Sequence, residues 1–308
     1  MARTRVVIDT DPGVDDAVAI LLALARDELD VLALTTVAGN VAIDKTTLNA
    51  RRLVDLSGRR DVLVARGAAR PLAGVAGDAS EVHGADGLGD QVWDEPRTPE
   101  TDETAVELLG RLADEGPLTV IAIGPLTNLA TALSRDPLFD TRVERLVVMG
   151  GASFQGNVTP AAEFNIWSDP EAAVRVFAGR WPITVLPLDL THQAVLRDDD
   201  LAFLRGLDTR VGERCAQMLE PYAAYHERWY ANRDIIMHDA AAVYAVLDPS
   251  AITTQGVTVA VETGGEHSRG ATWFDRRRAH ENSTTRVGVS LDPERFRAVL
   301  RESLARYA

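Results

Sequence analysis

The feature that most constrains the fold is a repeated alternation across the first 187 residues. Short, almost unbroken apolar runs are followed each time by a segment of helical periodicity. The apolar runs are Arg5–Ile8, Val31–Val37, Val62–Ala65, Leu118–Ile123, Arg145–Met149 and Ile183–Pro187. Runs this short and this apolar suit strands buried on both faces, and β-α-β order demands that they be parallel. The spacing predicts helices near 15–26, 43–56, 103–114 and 126–134, and another opening at Asp169-Pro170-Glu171, where proline takes the first helical position. Two long stretches, 67–101 and 150–168, carry no clear period and are expected to be loops. From about Arg197 the pattern changes: helices are expected at 198–206, 208–231, 238–247 and 293–306, and strands near 256–261, 270–274 and 285–290. The expected architecture is a single α/β domain over residues 1–308. It is a doubly wound, mainly parallel (mixed), Rossmann-like sheet with C-terminal helical and β-hairpin additions.

In such a sheet, ligands bind outside the carboxyl ends of the strands. The residues that follow the first apolar run are therefore the place to look for chemistry. Residues 9 to 16 read Asp-Thr-Asp-Pro-Gly-Val-Asp-Asp, four carboxylates within eight positions. Like charges this close repel. Capping of the following helix by Asp15 and Asp16 would account for two of them, not for four. A bound cation accounts for all. Hard oxygen donors without a nearby cysteine suit Ca²⁺ or Mg²⁺. Pro12 biases Asp11 toward an extended backbone, and Gly13 permits a sharp turn.

Composition narrows the function. A net charge of −14 disfavours nucleic acid and anionic membranes as partners. Lys45 is the single lysine, so neither a Schiff-base lysine with a suitable neighbour nor a Gly-x-x-x-x-Gly-Lys-Ser/Thr phosphate loop is available. Cys215 is the single cysteine. With no apolar leader at the N-terminus, a cytoplasmic location is expected.

The chain also carries Thr35-Thr-Val-Ala-Gly-Asn40, Gly124-Pro-Leu-Thr-Asn128, Val148-Met-Gly-Gly151, Ala162-Glu-Phe-Asn165, Leu188-Asp-Leu-Thr-His192 and His238-Asp239. With the Asp-Thr-Asp-Pro-Gly-Val-Asp-Asp stretch, and in this order, these motifs resemble the inosine–uridine-preferring nucleoside hydrolase family from end to end. The resemblance implies a Ca²⁺-dependent enzyme that hydrolyses the N-glycosidic bond of a ribonucleoside to ribose and free base. It implies that Asp11 is both a Ca²⁺ ligand and the base for the attacking water. Asp16, the backbone carbonyl of Ile123, and Asp239 would complete the protein's metal ligands. Asp15, Asn40, Asn157, Glu163 and Asn165 would bind the ribose hydroxyls, with Met149 packed under the sugar. His83 and His238 would face the base, and His238 would be its proton donor, a role that an ordinary imidazole pKa of about 6.5 suits.

Tyr222, Tyr225, Trp229 and Tyr230 recur at helical spacing, which suits either core packing or a stacking wall. Tyr225 or Trp229 stands where family members place an aromatic residue beside the base, and His226 is a further neighbour. Base preference does not follow from the resemblance. A homotetramer or homodimer does. Two competing readings are a non-catalytic nucleoside or ribose binder and a Mg²⁺ phosphohydrolase using Asp9 and Asp11. The second lacks the lysine it needs.

Overall fold

The computed structural model describes residues 3–308. Its first half follows the predicted alternation: β1 (Thr4–Thr10), α1 (Val14–Leu24), β2 (Leu29–Thr36), α2 (Ile43–Ser57), β3 (Leu63–Ala65), α3 (Ser80–His83), α4 (Ala105–Asp114), β4 (Leu118–Ala122), α5 (Thr127–Arg135) and β5 (Val143–Met149). Then come α6 (Phe164–Ser168), α7 (Pro170–Phe177), β6 (Ile183–Leu186), α8 (Leu188–Thr191), β7 (Val195–Leu196), α9 (Asp198–Gly206), α10 (Arg210–Tyr230), β8 (Ile235–Ile236) and α11 (His238–Leu247). The chain ends with β9 (Ile252–Gly256), β10 (Thr258–Val261), β11 (Thr272–Asp275), β12 (Thr285–Leu291) and α12 (Pro293–Ala305).

Eight strands form one sheet in the order β3-β2-β1-β4-β5-β6-β12-β9. Every neighbouring pair is parallel except β12 with β9. Alternate side chains explain why both faces are covered. Val6 and Ile8 of β1 join one apolar cluster with α1, α10, α11 and α12, while Val7 joins the other with α4, α5 and α7. Chain order runs outward in opposite directions from β1 and β4. That reversal opens a crevice at their carboxyl ends, the place where α/β sheets bind ligands. The Asp9–Asp16 stretch leaves β1 there, and Ile123-Gly124 leaves β4 beside it.

The helix ends have local causes. The Asp16 carboxylate accepts from the Gly13 backbone N–H at 2.9 Å and so ties down the start of α1. Thr104 and Glu107 close a reciprocal capping box on α4. Asp169 caps α7 ahead of Pro170, as expected. Gly58, at φ 77°, ends α2 in a conformation that favours glycine.

Three features depart from expectation. The strand anticipated near 256–261 is β10, which forms a separate hairpin with β11, whereas β9, just before it, is unanticipated and pairs with β12 at the sheet edge. The hairpin addition is thus smaller, because β9 and β12 rejoin the main sheet. The stretches expected to be loops each contain a short helix, α3 and α6. Among the described residues, no helix is long and apolar enough to cross a membrane.

Candidate active site

The carboxyl ends of β1, β2, β4 and β5 open onto a cavity of about 300 Å³, within the range of small-molecule sites. Its floor is acidic. Asp15 and Asp239 line it, Asp11 and Asp16 do not, and all four are buried, at 5% exposure or less. Oxygens of Asp15, Asp16 and Asp239 come within 4.8 Å of one another, close enough to share one ion. Asp15, which the resemblance gives to ribose, therefore lies with Asp16 and Asp239, while Asp11, expected to hold metal, is not in this group.

Asp11 is held differently. Its Oδ2 accepts from the Asn40 backbone N–H at 2.7 Å, while its Oδ1 is buried with no hydrogen-bond partner. A Cβ at Gly39 would stand 2.1 Å from Asp11 Oδ2, and one at Gly124 would stand 2.5 Å from Oδ1. Both glycines are thus required by the space this carboxylate takes. Asp16 accepts from Thr10 Oγ1 at 2.6 Å and from Asn40 Nδ2 at 3.1 Å. Beneath them, Asp9 Oδ2 accepts from Thr35 Oγ1 at 2.6 Å and Asn128 Nδ2 at 2.8 Å, which links the ends of β1 and β2 to α5.

Without a cation, burial favours the protonated form of these acids. Burial, then repulsion from Asp16, pushes Asp15 up to about 8. Burial and the neighbouring carboxylates push Asp11 and Asp239 well above the usual range. Burial raises Asp9 to about 7. Desolvation on this scale is what a divalent cation offsets. The donor set therefore fits one: several hard oxygens, an oxygen with no partner, and no arginine or lysine paired with them among the described residues.

The polar wall comes from the β5 loop. Glu163 caps α6, accepting from Asn165 N at 2.8 Å, Ile166 N at 3.1 Å and Gly151 N at 2.9 Å. Burial nonetheless raises its pKa to about 7. Asn165 spends its amide nitrogen on the Ile123 carbonyl at 3.1 Å and the Met149 carbonyl at 3.3 Å. That arrangement reserves its carbonyl oxygen as an acceptor. A carbonyl oxygen has two lone pairs, so Ile123 keeps one to offer elsewhere. Asn157 accepts from Phe164 N at 2.9 Å, and Asn40, Ile123, Met149 and Asn157 all line the cavity.

The opposite wall is aromatic. His83 stacks on Tyr222 with centroids 5.6 Å apart, and Tyr222 meets His226 at 4.7 Å. Tyr225 also lines this wall. The Val14 N–H donates to His83 Nδ1 at 3.1 Å, and burial lowers the His83 pKa to about 3, so its ring is neutral. His238 Nδ1 lies 2.7 Å from Thr191 Oγ1. Burial, then the His192, His226 and His83 rings, holds His238 well below 6.5, so the ordinary imidazole pKa expected from sequence is not what this site provides.

Trp229 is a correction. It is 57% exposed and does not line the cavity; it packs on Tyr225 instead, centroids 6.1 Å apart. The helical spacing placed it on the right face of α10 but one turn beyond the wall. The side chain of Tyr230 lies outside the described residues. Thr191, Phe164, Trp167, Gly39 and Gly124 were not singled out as site residues. Four of the five fall in or beside flagged motifs, and Trp167 two positions beyond one, yet no local signal distinguished them.

The match to the family model "Inosine-uridine preferring nucleoside hydrolase" runs over residues 6–298, nearly the whole chain. The chain belongs to this family. It is a hydrolase that cleaves ribonucleosides to ribose and free base. A pyrimidine-specific ribonucleoside hydrolase from Shewanella woodyi is 41% identical over 98% of each chain. Uridine nucleosidase 1 of Arabidopsis thaliana is 41% identical over 85% of this chain and 79% of its own. Among solved structures, a plant nucleoside hydrolase superposes with a TM-score of 0.92 at 37% identity, covering 99% of each chain. A purine-preferring ribonucleoside hydrolase from Gardnerella vaginalis gives 0.93 at 31%, covering 99% of this chain and 100% of its own.

Proposed function

We propose that this nucleoside hydrolase acts on pyrimidine ribonucleosides, with Ca²⁺ held at the floor of the cavity. The observation that carries the substrate class is near-complete alignment, at about 40% identity, with relatives named as pyrimidine-specific. The buried carboxylates above carry the cation. Asp11, Asp16, Asp239 and the Ile123 carbonyl would hold it, with Asp15 alongside. When bound, the ion supplies positive charge that keeps these acids ionised and makes a water beside them easier to deprotonate.

The chain's own groups do the rest. Asp11 takes the proton of the attacking water, for which hydrogen-bond reach suffices. Asp15, Asn40, Asn157, Glu163 and Asn165 hold the ribose hydroxyls, over Met149. Their oxygens surround a sugar that gains positive charge as the N-glycosidic bond breaks, as in other glycoside cleavages. His83, Tyr222, Tyr225 and His226 hold the flat base. His238, oriented by Thr191, donates to the base as it leaves, a role that requires the bound substrate and ion to raise its pKa from the low value that burial gives it. The domain spans the chain, and we infer a cytoplasmic homo-oligomer, dimer or tetramer, a state that light scattering reads directly.

The deciding experiment measures ribose release with added Ca²⁺ from uridine, cytidine, inosine, adenosine and guanosine. Uridine and cytidine should give the highest kcat/KM. Equal or faster turnover of the purines would remove the pyrimidine assignment and leave the hydrolase one standing.

A further inference from the structure

A second cavity, of about 260 Å³, lies away from the acidic one, between the C-terminal half of α2, residues 93–97 and the start of α10. It is lined by Arg52, Arg60, Arg97, Arg210, Arg214 and Trp93. In a chain of net charge −14, five guanidinium groups at one cavity are conspicuous. Three carboxylates accompany them, Asp55, Asp94 and Glu95. These offset the cluster only in part, with Glu95 and Asp86 acting on Arg52 and Asp55 on Arg60. Asp55 is committed to the Thr98 backbone N–H at 3.1 Å, the Thr98 hydroxyl at 2.5 Å and the Arg97 backbone N–H. Asp94 reaches only Arg210, at 3.4 Å, and both of those side chains are solvated. Among the described residues, Arg52, Arg60, Arg97 and Arg214 have no carboxylate within salt-bridge distance.

Arg60 and Arg97 are exposed, so their donors are open to an anion in the cavity. Arg214 lies over the Trp93 ring at 4.8 Å, which fixes that guanidinium against the indole. Planar forks with donors to spare match the oxygens of a phosphate group.

We propose that this arginine cavity binds a small phosphate-bearing anion. The acidic floor of the active site would repel the same group. The two cavities therefore sort uncharged nucleosides from phosphorylated ones. The reaction also gives the anion a chemical context: a nucleoside arises when a nucleotide loses its phosphate, and free ribose is re-used by phosphorylation. Free phosphate, a sugar phosphate and a nucleotide share the chemistry the cavity would recognise. Helix α10 joins the two places, with Arg210 and Arg214 at its start and Tyr222, Tyr225 and His226 near its end.

The test is calorimetric titration of the Ca²⁺-loaded enzyme with inorganic phosphate, ribose 5-phosphate and uridine 5′-monophosphate, with ribose as the uncharged control. At least one phosphate probe should bind saturably at millimolar concentration or below, ribose should not reproduce it, and added salt should weaken it. Arg52→Ala/Arg97→Ala should weaken binding about tenfold or more. So should Arg60→Glu, a charge reversal at an exposed position that the fold tolerates. Asp16→Asn, which disables the acidic floor, should leave it intact. If inorganic phosphate binds as well as the two esters, free phosphate is the ligand; weaker binding assigns an organic phosphate. No saturable binding by any phosphate probe overturns the proposal. So does binding that survives both arginine variants, or that disappears in Asp16→Asn, because the anion would then sit elsewhere or on the metal.

Discussion

Buried acid occurs at two places in this protein, at Asp200 and at the end of β1, and the two are solved in opposite ways. At the α9–α12 contact, Asp200 is 1% exposed, and its carboxylate meets Arg297 Nε at 2.9 Å, Arg301 Nε at 2.5 Å and the Arg197 backbone N–H at 2.8 Å. Asp199 beside it pairs with the same two arginines. At the end of β1, Asp11, Asp15, Asp16 and Asp239 are as deeply buried, yet only neutral donors reach them. The difference teaches what each is for. The first cluster carries its counter-charges in the sequence and serves the fold. The second is short of positive charge, so its carboxylates must either keep protons or take a cation from solution.

Breaking each cluster should therefore separate activity from stability. Asp11→Ala should lower kcat by about 10²–10⁴-fold, the worth of a positioned base, with little change in melting temperature. Near-normal turnover in steady-state assays would end the assignment of Asp11. Asp200→Ala should do the reverse. It removes the buried partner of Arg297, which keeps Asp199 and Glu294, and should cost about 2 kcal/mol in urea unfolding, while kcat per folded molecule stays unchanged.

Chelation comes next in size. Stripping the cation should abolish ribose release and lower stability by about 2.7 kcal/mol relative to enzyme held at a hundredfold excess over the metal Kd. Unfolding at the α9–α12 contact, followed by hydrogen exchange, should shift only through the global change.

The smallest effect is one of sign. In the metal-free protein Asp9 and Glu163 are raised to about 7 and Asp15 to about 8, so the folded state binds more protons than the unfolded one between the ordinary carboxylate values and about pH 8. Stability supplied this way falls as pH rises through that window. Melting curves of chelated enzyme should decline from about pH 6.5 to 8, above the range in which the buried neutral His83, His226 and His238 contribute the opposite slope, and Ca²⁺ should flatten them. A metal-free protein that grows more stable over that range would rule out protonated carboxylates at the end of β1.

Much of this was legible in the sequence, for physical reasons. The inner strands were visible because burial on both faces leaves no room for polar residues. The acidic motif was visible because four of its members lie within eight positions. Long-range partnerships were harder. Asp239 gave only a His-Asp pair until motif order placed it, and Thr191 gave no hint that it meets His238. The edge strand β9 alternates exposed and buried residues, and its pairing with β12 depends on contacts that no local pattern contains. Trp229 failed for a related reason. A period of 3.6 residues assigns a face, whereas the depth of a cavity decides how far along that face the wall extends.

The solitary lysine has one more consequence. Lys45 Nζ donates to the Ala85 carbonyl at 2.7 Å, two residues after His83. With one side-chain amine in the chain, reagents that acylate lysine have a single side-chain address. A fluorophore attached there would sit beside the segment that carries His83 into the pocket. The unaltered sequence thus comes ready for optical recording of that segment while nucleosides enter and leave.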